Sequence, residues 1–396
     1  MPAVSLSTIV AEAARAAGGP LAGQVAPGVP CDLLEALEAV ADPRRPRGVR
    51  HRLALVLGIA LCATLAGAKS YVAIGEWAHD LPLVVRERLG MVRRPPCEST
   101  IRRTTQAVDP AALQAVFCGW LARSAAPGAR WRGVAVDGKA VRGARRKDGR
   151  AARLLAAVEH ADGVVLAQRA VDGKSNEITA FAPLLDDVAD LIGVIVTADA
   201  MHTQRDHANY LAGRGAHYVL VAKDNQPRLL AQLKSLPWRD IDPAEVTVGK
   251  GHGRVESRTV KLAAYTGGLR FPNATTAIQI IRRRKALHAR KWSIETVYAI
   301  TDLDQTQISP QELAGIIRGH WHIENKLHWV RDVTFGEDLS QIRTGHGPIV
   351  MAALRNLAIS IHRRHGATNI AAATRAVSRQ PTRVVPLIQP AKINTG

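Results

Sequence analysis

Asp137, Asp199 and Glu324 each stand beside an apolar run, where a carboxylate calls for a reason. Asp137 closes the short run Gly133-Val-Ala-Val-Asp137, and Asp199 ends the apolar stretch that begins at Leu191. A helix started at Pro310 and advanced by about 100° per residue puts Leu313, Ile316, Ile317, His320, Glu324, Leu327, His328 and Arg331 on one face. A carboxylate aimed at a core costs several kcal/mol unless it is paired or holds a metal. Each residue also has a plainer reading. Val-Asp-Gly-Lys recurs at 171–174, where it predicts a turn before Glu177, so Asp137 could be a turn residue as well. Asp199 could cap a helix, and Glu324 could pair with Arg331, His320 or His328. Glu256 is the rival third carboxylate, although Arg254 and Arg258 flank it as partners.

Taken together, three carboxylates without cysteine partners suit hard cations with oxygen ligands, Mg2+ or Mn2+. Two such ions can activate the attacking oxygen and stabilise the leaving one in an in-line phosphoryl displacement, with no covalent nucleophile. Zinc on His320, His322 and His328 with Glu324 is disfavoured, because His322 turns away from Glu324 on the helical wheel and no soft fourth ligand is present.

The elements that must position these groups follow from periodicity. From Asp32 to about Arg123 the pattern is helical and includes one long apolar run, Leu53 to Ala68. At 16 residues that run is shorter than the roughly 20 needed to cross a bilayer, which predicts a buried helix and no membrane span. Ser99 or Thr100 could cap a short helix that carries Arg102 and Arg103 outward toward DNA. From Gly133 the period changes to strands. A strand ending at Asp137 is followed by a hairpin of Leu154–His160 and Val164–Val171 turned at Asp162-Gly163. Next come a helix from about Thr179, the buried strand 191–197, a helix from Thr203 to Gly213 and a strand, His217 to Ala222. Three strands, helix, strand, helix, strand is the order of an RNase H-like α/β domain, in which the ends of the first and fourth strands lie side by side. That order would join Asp137 to Asp199, and a glutamate from a late helix could complete the cluster.

After about Glu245 the chain alternates as β-strands to about 302, which predicts an all-β insertion. Ser309-Pro310-Gln-Glu312 then opens a long helix as a capping box with proline at its first position. A further helix runs from about Pro348 to His362. The expected organisation is a helical N-terminal domain at 31–125, a catalytic domain at 131–365 with the insertion at about 245–302, and a C-terminal tail at 366–396.

Lysine and arginine number 53 against 34 aspartates and glutamates, a net +19, which favours a polyanionic partner such as nucleic acid. The four cysteines, Cys31, Cys62, Cys97 and Cys118, have no paired spacing, which fits a reducing cytoplasm better than a disulfide framework or zinc knuckle. The N-terminus lacks a basic segment ahead of its apolar residues and does not read as a signal peptide.

VAVDGKAVRGA around Asp137, VTADAMHTQ around Asp199, HYVLVAKDNQP, GHGRVESR and RGHWHIENKLHWVRDVTFGED resemble the H-repeat-associated, ISAs-type insertion-sequence transposases over roughly Leu33 to His362. The resemblance implies a DDE triad at Asp137, Asp199 and Glu324, Mg2+ or Mn2+ as cofactor, and cleavage at element ends followed by strand transfer. The implied partners are double-stranded DNA at terminal inverted repeats and at the target, with the protein a homodimer on DNA, associated with the nucleoid in the cytoplasm. Related transposases carry a tyrosine and an arginine before this glutamate and a lysine seven positions after it. Here those places hold Ile317, His320 and Arg331. Arg331 keeps a positive charge for a phosphate, and Lys139, Arg142 and Lys223 are further candidates for phosphate contact. A catalytically inactive DNA-binding descendant and an RNase H-like nuclease that cuts without joining are the alternative functions.

Overall fold

The computed structural model describes residues 32–47, 49–123, 130–145, 151–171, 176–251, 253–265 and 268–389. The repeated Val-Asp-Gly-Lys turn expected at 171–174 falls largely outside them.

The N-terminal part is helical: α1 (Leu33–Leu37), α2 (Leu53–Leu65), α3 (Tyr71–His79), α4 (Leu83–Arg88), α5 (Glu98–Ala107) and α6 (Pro110–Arg123). Every residue of α2 is buried. Its apolar run has no polar face to offer water, so it can only be a central helix. No helix of the described residues is long and apolar enough to cross a membrane. Pro82 separates α3 from α4, because its fixed φ and missing N–H interrupt the helical pattern. The cap of α5 is Cys97, two or three positions before the hydroxyls expected in that role, and its side chain makes no capping bond.

One nine-stranded mixed sheet forms the rest, in the order β3-β2-β1-β4-β5-β9-β8-β7-β6. β1 (Arg132–Arg145), β2 (Ala151–Glu159) and β3 (Val165–Val171) form an antiparallel meander, turned at Gly163 with a φ of +75°. β4 (Val194–Ala198) runs parallel to β1, and β5 (His217–Ala222) parallel to β4. The crossovers carry α7 (Glu177–Asp186) and α8 (Arg205–Gly213). A helix not anticipated, α9 (Pro227–Lys234), starts on Pro227 and buries Leu229 and Leu233.

The β-rich segment forms β6 (Pro243–Gly251), β7 (Arg254–Ala264), β8 (Thr276–Ala286) and β9 (Ser293–Thr301), all antiparallel. It continues the same sheet, because β9 pairs antiparallel with β5 from Ala222↔Tyr298 to Val219↔Thr301. The expected capping box at Ser309 and Glu312 opens α10 (Pro310–Gly319). The chain then passes through two π-helical stretches, Ile323–His328 and Val330–Thr334, before α11 (Gly347–Arg364). The residues expected as a tail form α12 (Ile370–Arg379) and α13 (Val384–Ile388), which bury Ile370, Val377, Val384 and Ile388 against the helical core.

Alternation along β1 sorts its side chains onto two cores. Val134 and Val136 pack with Phe181, Leu184 and Val196 on the α7 side. Ala135 faces the other core, shared by the N-terminal helices, α11 and the π-helical Ile323, Leu327 and Val330. Asp137, two residues on, therefore points toward the π-helical segment.

Candidate active site

Asp137 does not end its strand as expected: β1 continues through it to Arg145, paired with β2 at Asp137↔Ala156. What ends there is the pairing with β4, at Val136↔Ala198. Asp137 and Asp199 are thus the next residues on two adjacent parallel strands, where the sheet opens. The Asp137 Oδ1 accepts a 2.9 Å bond from the Gly138 N–H. Asp199 also serves as the cap expected of it, its Oδ1 accepting from the Met201 N–H at 3.0 Å ahead of the 3-10 turn Ala200–His202. That capping bond uses one carboxylate oxygen and leaves the other outside it.

Glu324 sits differently from the helical-wheel expectation. Its side chain is 56% exposed. Uniform 100° steps fail because α10 ends at Gly319 and the chain re-forms with i→i+5 bonds, which advance less per residue. The wider turn keeps Ile323, Leu327 and His328 buried and turns Glu324 to the accessible edge of the site. There its Oε2 lies 3.4 Å from His328 Nδ1, which in turn lies 3.7 Å from Asp137 Oδ2. One donor atom each from Asp137, Glu324 and His328 fall within 4.8 Å of one another. The i+4 pairing of Glu324 with His328 was legible in the sequence. The contact of His328 with Asp137 was not, because it depends on the π turns.

The electrostatics follow from this crowding. Burial pushes the Asp137 carboxyl up to about 6; His328 and the Gly138 N–H oppose the rise, and Glu324 and Asp199 add to it. The bond to His328 holds Glu324 below the usual carboxylate range. Such repulsion between carboxylates is what a bound cation relieves.

Beneath the carboxylates lies a neutral histidine layer. Thr197 Oγ1 lies 3.0 Å from His160 Nε2 and 2.9 Å from His320 Nδ1. Burial pushes His160 down to about 3 and lowers His320 as well, so neither adds charge. His322 faces away from Glu324, its Nδ1 2.8 Å from the His160 carbonyl. Glu177 was not singled out from the sequence. It stands where a Cβ on Gly138 would be 2.1 Å from its Oε2, and Asp199 contributes to raising its pKa after burial.

The basic candidates divide. Lys139 Nζ pairs with Asp332 Oδ2 at 2.6 Å on the π-helical segment, beside the cluster. Arg142 is exposed, 4.0 Å from Asp338. Lys223 is exposed on a loop tied to the Asp199 turn, where Asn225 donates to the Ala200 carbonyl and Gln226 to that of Thr203. Arg102 pairs with Glu98 within α5, and Arg103 is exposed. Arg331 has neither role expected of it. It pairs with Glu337 at 2.6 Å instead of Glu324, and at 1% exposure it cannot meet a phosphate at the surface. Arg355 shares that buried carboxylate at 3.0 Å. Glu256 stands among Arg254, Arg258 and Arg284 at 3.6, 3.6 and 3.7 Å, the pairing its flanking residues foretold.

Comparison with known proteins identifies the family. A family model described as "Transposase DDE domain" matches residues 129–361, and one described as "DDE_Tnp_1-associated" matches 34–121. The chain is 28% identical to "Putative transposase YncI" of Escherichia coli O157:H7, over 84% of this chain and 87% of that one. It is 29% identical to "H repeat-associated putative transposase YhhI" of Escherichia coli K12, over 83% and 89%. Among solved structures, a piggyBac transposase synaptic complex with hairpin DNA aligns over 92% of this chain and 80% of that one, with a TM-score of 0.41 and 10% identity.

Proposed function

Since the chain belongs to the transposase DDE domain family, we propose that it cleaves DNA at the ends of its own element and joins those ends to target DNA, with Asp137, Asp199 and Glu324 as the catalytic carboxylates. The single observation that carries this reading is the convergence of Asp137 and Glu324 around His328, with Asp199 on the neighbouring strand end. The strand order β3-β2-β1-β4-β5, with β1 to β3 antiparallel and β4 and β5 parallel to β1, supports an RNase H-like core. Strands β6 to β9 then stand as the insertion between Asp199 and Glu324.

The donor set fits a hard divalent ion. Carboxylate oxygens suit Mg2+ or Mn2+, and the Asp137 carboxyl, raised first by burial and then by Glu324 and Asp199, is one whose charge a cation would stabilise. When bound, such ions supply the charge that activates the attacking oxygen and stabilises the leaving one. The chain's own residues do the positioning. The sheet sets Asp137 and Asp199 on neighbouring strand ends, while His328 stands between Asp137 and Glu324 and holds the exposed glutamate side chain toward Asp137. Lys139, mostly buried and paired with Asp332, brings a positive charge close enough to act on Glu324. Arg142 and Lys223 are further exposed cations on the catalytic part of the chain, and Arg102 and Arg103 lie on α5 of the N-terminal helical part. Two element ends handled together favour a homodimer on DNA.

Incubating purified protein with Mg2+, pre-cleaved element ends and target duplex tests the proposal, with joined products expected. Cleavage without joining would make the chain a nuclease, and binding without either would make it an inactive descendant.

A further inference from the structure

Away from the carboxylates, a cleft of about 870 Å³ opens in the N-terminal helical region. Seven of its thirteen lining residues are arginines, drawn from the stretch 44–50, from Arg93 and Arg94, and from Arg103 on α5, and no lining residue is acidic. Among the described residues, Arg45, Arg47, Arg50, Arg93 and Arg94 form no ion pair, and all five are exposed. Arg44 is the exception. It is locked by Asp42 at 2.6 Å and donates to the His51 carbonyl at 2.8 Å, which folds the stretch over the cleft. The gathered charge is felt inside: burial, then Arg44, Arg93 and Arg50, push the His51 imidazole down.

So many unpaired guanidinium groups repel one another unless an anion with several charges lies among them. We infer that this arginine cleft is a second DNA-binding surface, which grips the phosphate backbone of a duplex without reading its sequence. The chemistry of the lining supports backbone binding. Of the side chains that read bases, the cleft offers arginine, which fits guanine as well as phosphate, but no Asn or Gln for adenine and no Asp or Glu for cytosine. Arginine forks fit phosphate, and such contacts fix register and orientation. The inference rests on the proposed function for the identity of the polyanion, and it locates a contact that the carboxylate site does not provide.

Cys97 gives a reporter within the cleft. It is exposed, and bonds to the Ser99 and Thr100 hydroxyls bring its thiol down to about 7, whereas Cys62 and Cys118 are buried. In the full-length protein, a 30-base-pair duplex should protect Cys97 from maleimide, read by mass mapping of its peptide. The combined variant R45Q, R47Q, R93Q and R94Q should bind the element's terminal repeat and an unrelated duplex more weakly by the same factor. The slope of log K against log salt should flatten by about 0.9 for each phosphate contact removed, so by three to four in all. An unchanged slope would overturn the inference, as would a loss confined to the terminal repeat, which would show base readout. Equal Cys97 protection by duplex RNA or by phosphatidylserine–phosphatidylcholine vesicles would also overturn it. Failure of the wild type to bind any duplex would sink the proposed function itself; wild-type binding that the variant matches sinks only this surface.

Discussion

Asp137→Asn should stabilise the metal-free protein while disabling it. The carboxyl is lifted from its ordinary 3.8 to about 6, chiefly by burial, with Glu324 and Asp199 adding to the rise. Each pKa unit is worth about 1.36 kcal/mol, so the ionised folded state carries a penalty of about 3 kcal/mol relative to the unfolded chain. The sign follows from the raised value. Below about pH 3.8 both states are protonated and there is no penalty; it accumulates up to about pH 6 and stays constant above. Asparagine removes the charge but keeps an oxygen for the 2.9 Å bond from the Gly138 N–H, so little else is lost. Urea unfolding of both proteins in EDTA should show the variant more stable by about 2–3 kcal/mol at pH 8, with the advantage gone near pH 4. A variant less stable at pH 8, or a difference independent of pH, would refute the burial and crowding argued for this carboxylate.

Three further expectations follow. Glu337 is fully buried against Arg331 and Arg355; burial alone would raise its carboxyl, but the two guanidinium groups hold it below the ordinary range. Glu337→Gln leaves two buried cations short of a partner and should cost about 3–5 kcal/mol, measured by denaturant midpoint. Because its depressed pKa contributes stability above the unfolded value, acid unfolding of the wild type should set in as Glu337 is protonated, and the variant should lack that step. Gly319→Ala places a Cβ 2.3 Å from the His160 ring, so His160 must leave Thr197; a loss of about 1–3 kcal/mol in thermal or urea unfolding is expected.

Much of this architecture is written in local pattern. The capping box at Ser309 and Glu312, the Gly163 turn and the almost wholly apolar α2 each follow from a few residues, and strands β4 and β5 read as buried runs, although β4 spans Val194–Ala198 and not 191–197. The placement of Asp137 and Asp199 at the ends of neighbouring paired strands was legible, because strand order alone brings those ends together. Regular helical periodicity predicts Glu324 as a buried carboxylate, whereas it is an exposed one on a π turn. No residue between His322 and Trp329 announces i→i+5 bonding. Arg331 was misplaced for the same reason, since its partner Glu337 lies beyond the π segment, outside the reach of an i+4 rule. The arginine cleft escaped because its charges come from separate stretches that converge only in three dimensions.

Asp137, Asp199 and Glu324, and not Glu256, are proposed to make the reacting site. A labelled terminal-repeat duplex should be cut by the wild type in Mg2+. Asp137→Asn, Asp199→Asn and Glu324→Gln should each lose cleavage by orders of magnitude while keeping the fold and DNA binding. Glu256→Gln should still cut and should bind DNA more tightly, because Arg254, Arg258 and Arg284 lose their shared carboxylate. An active Glu324→Gln protein beside a folded but inactive Glu256→Gln protein would contradict the account and move the third carboxylate to Glu256.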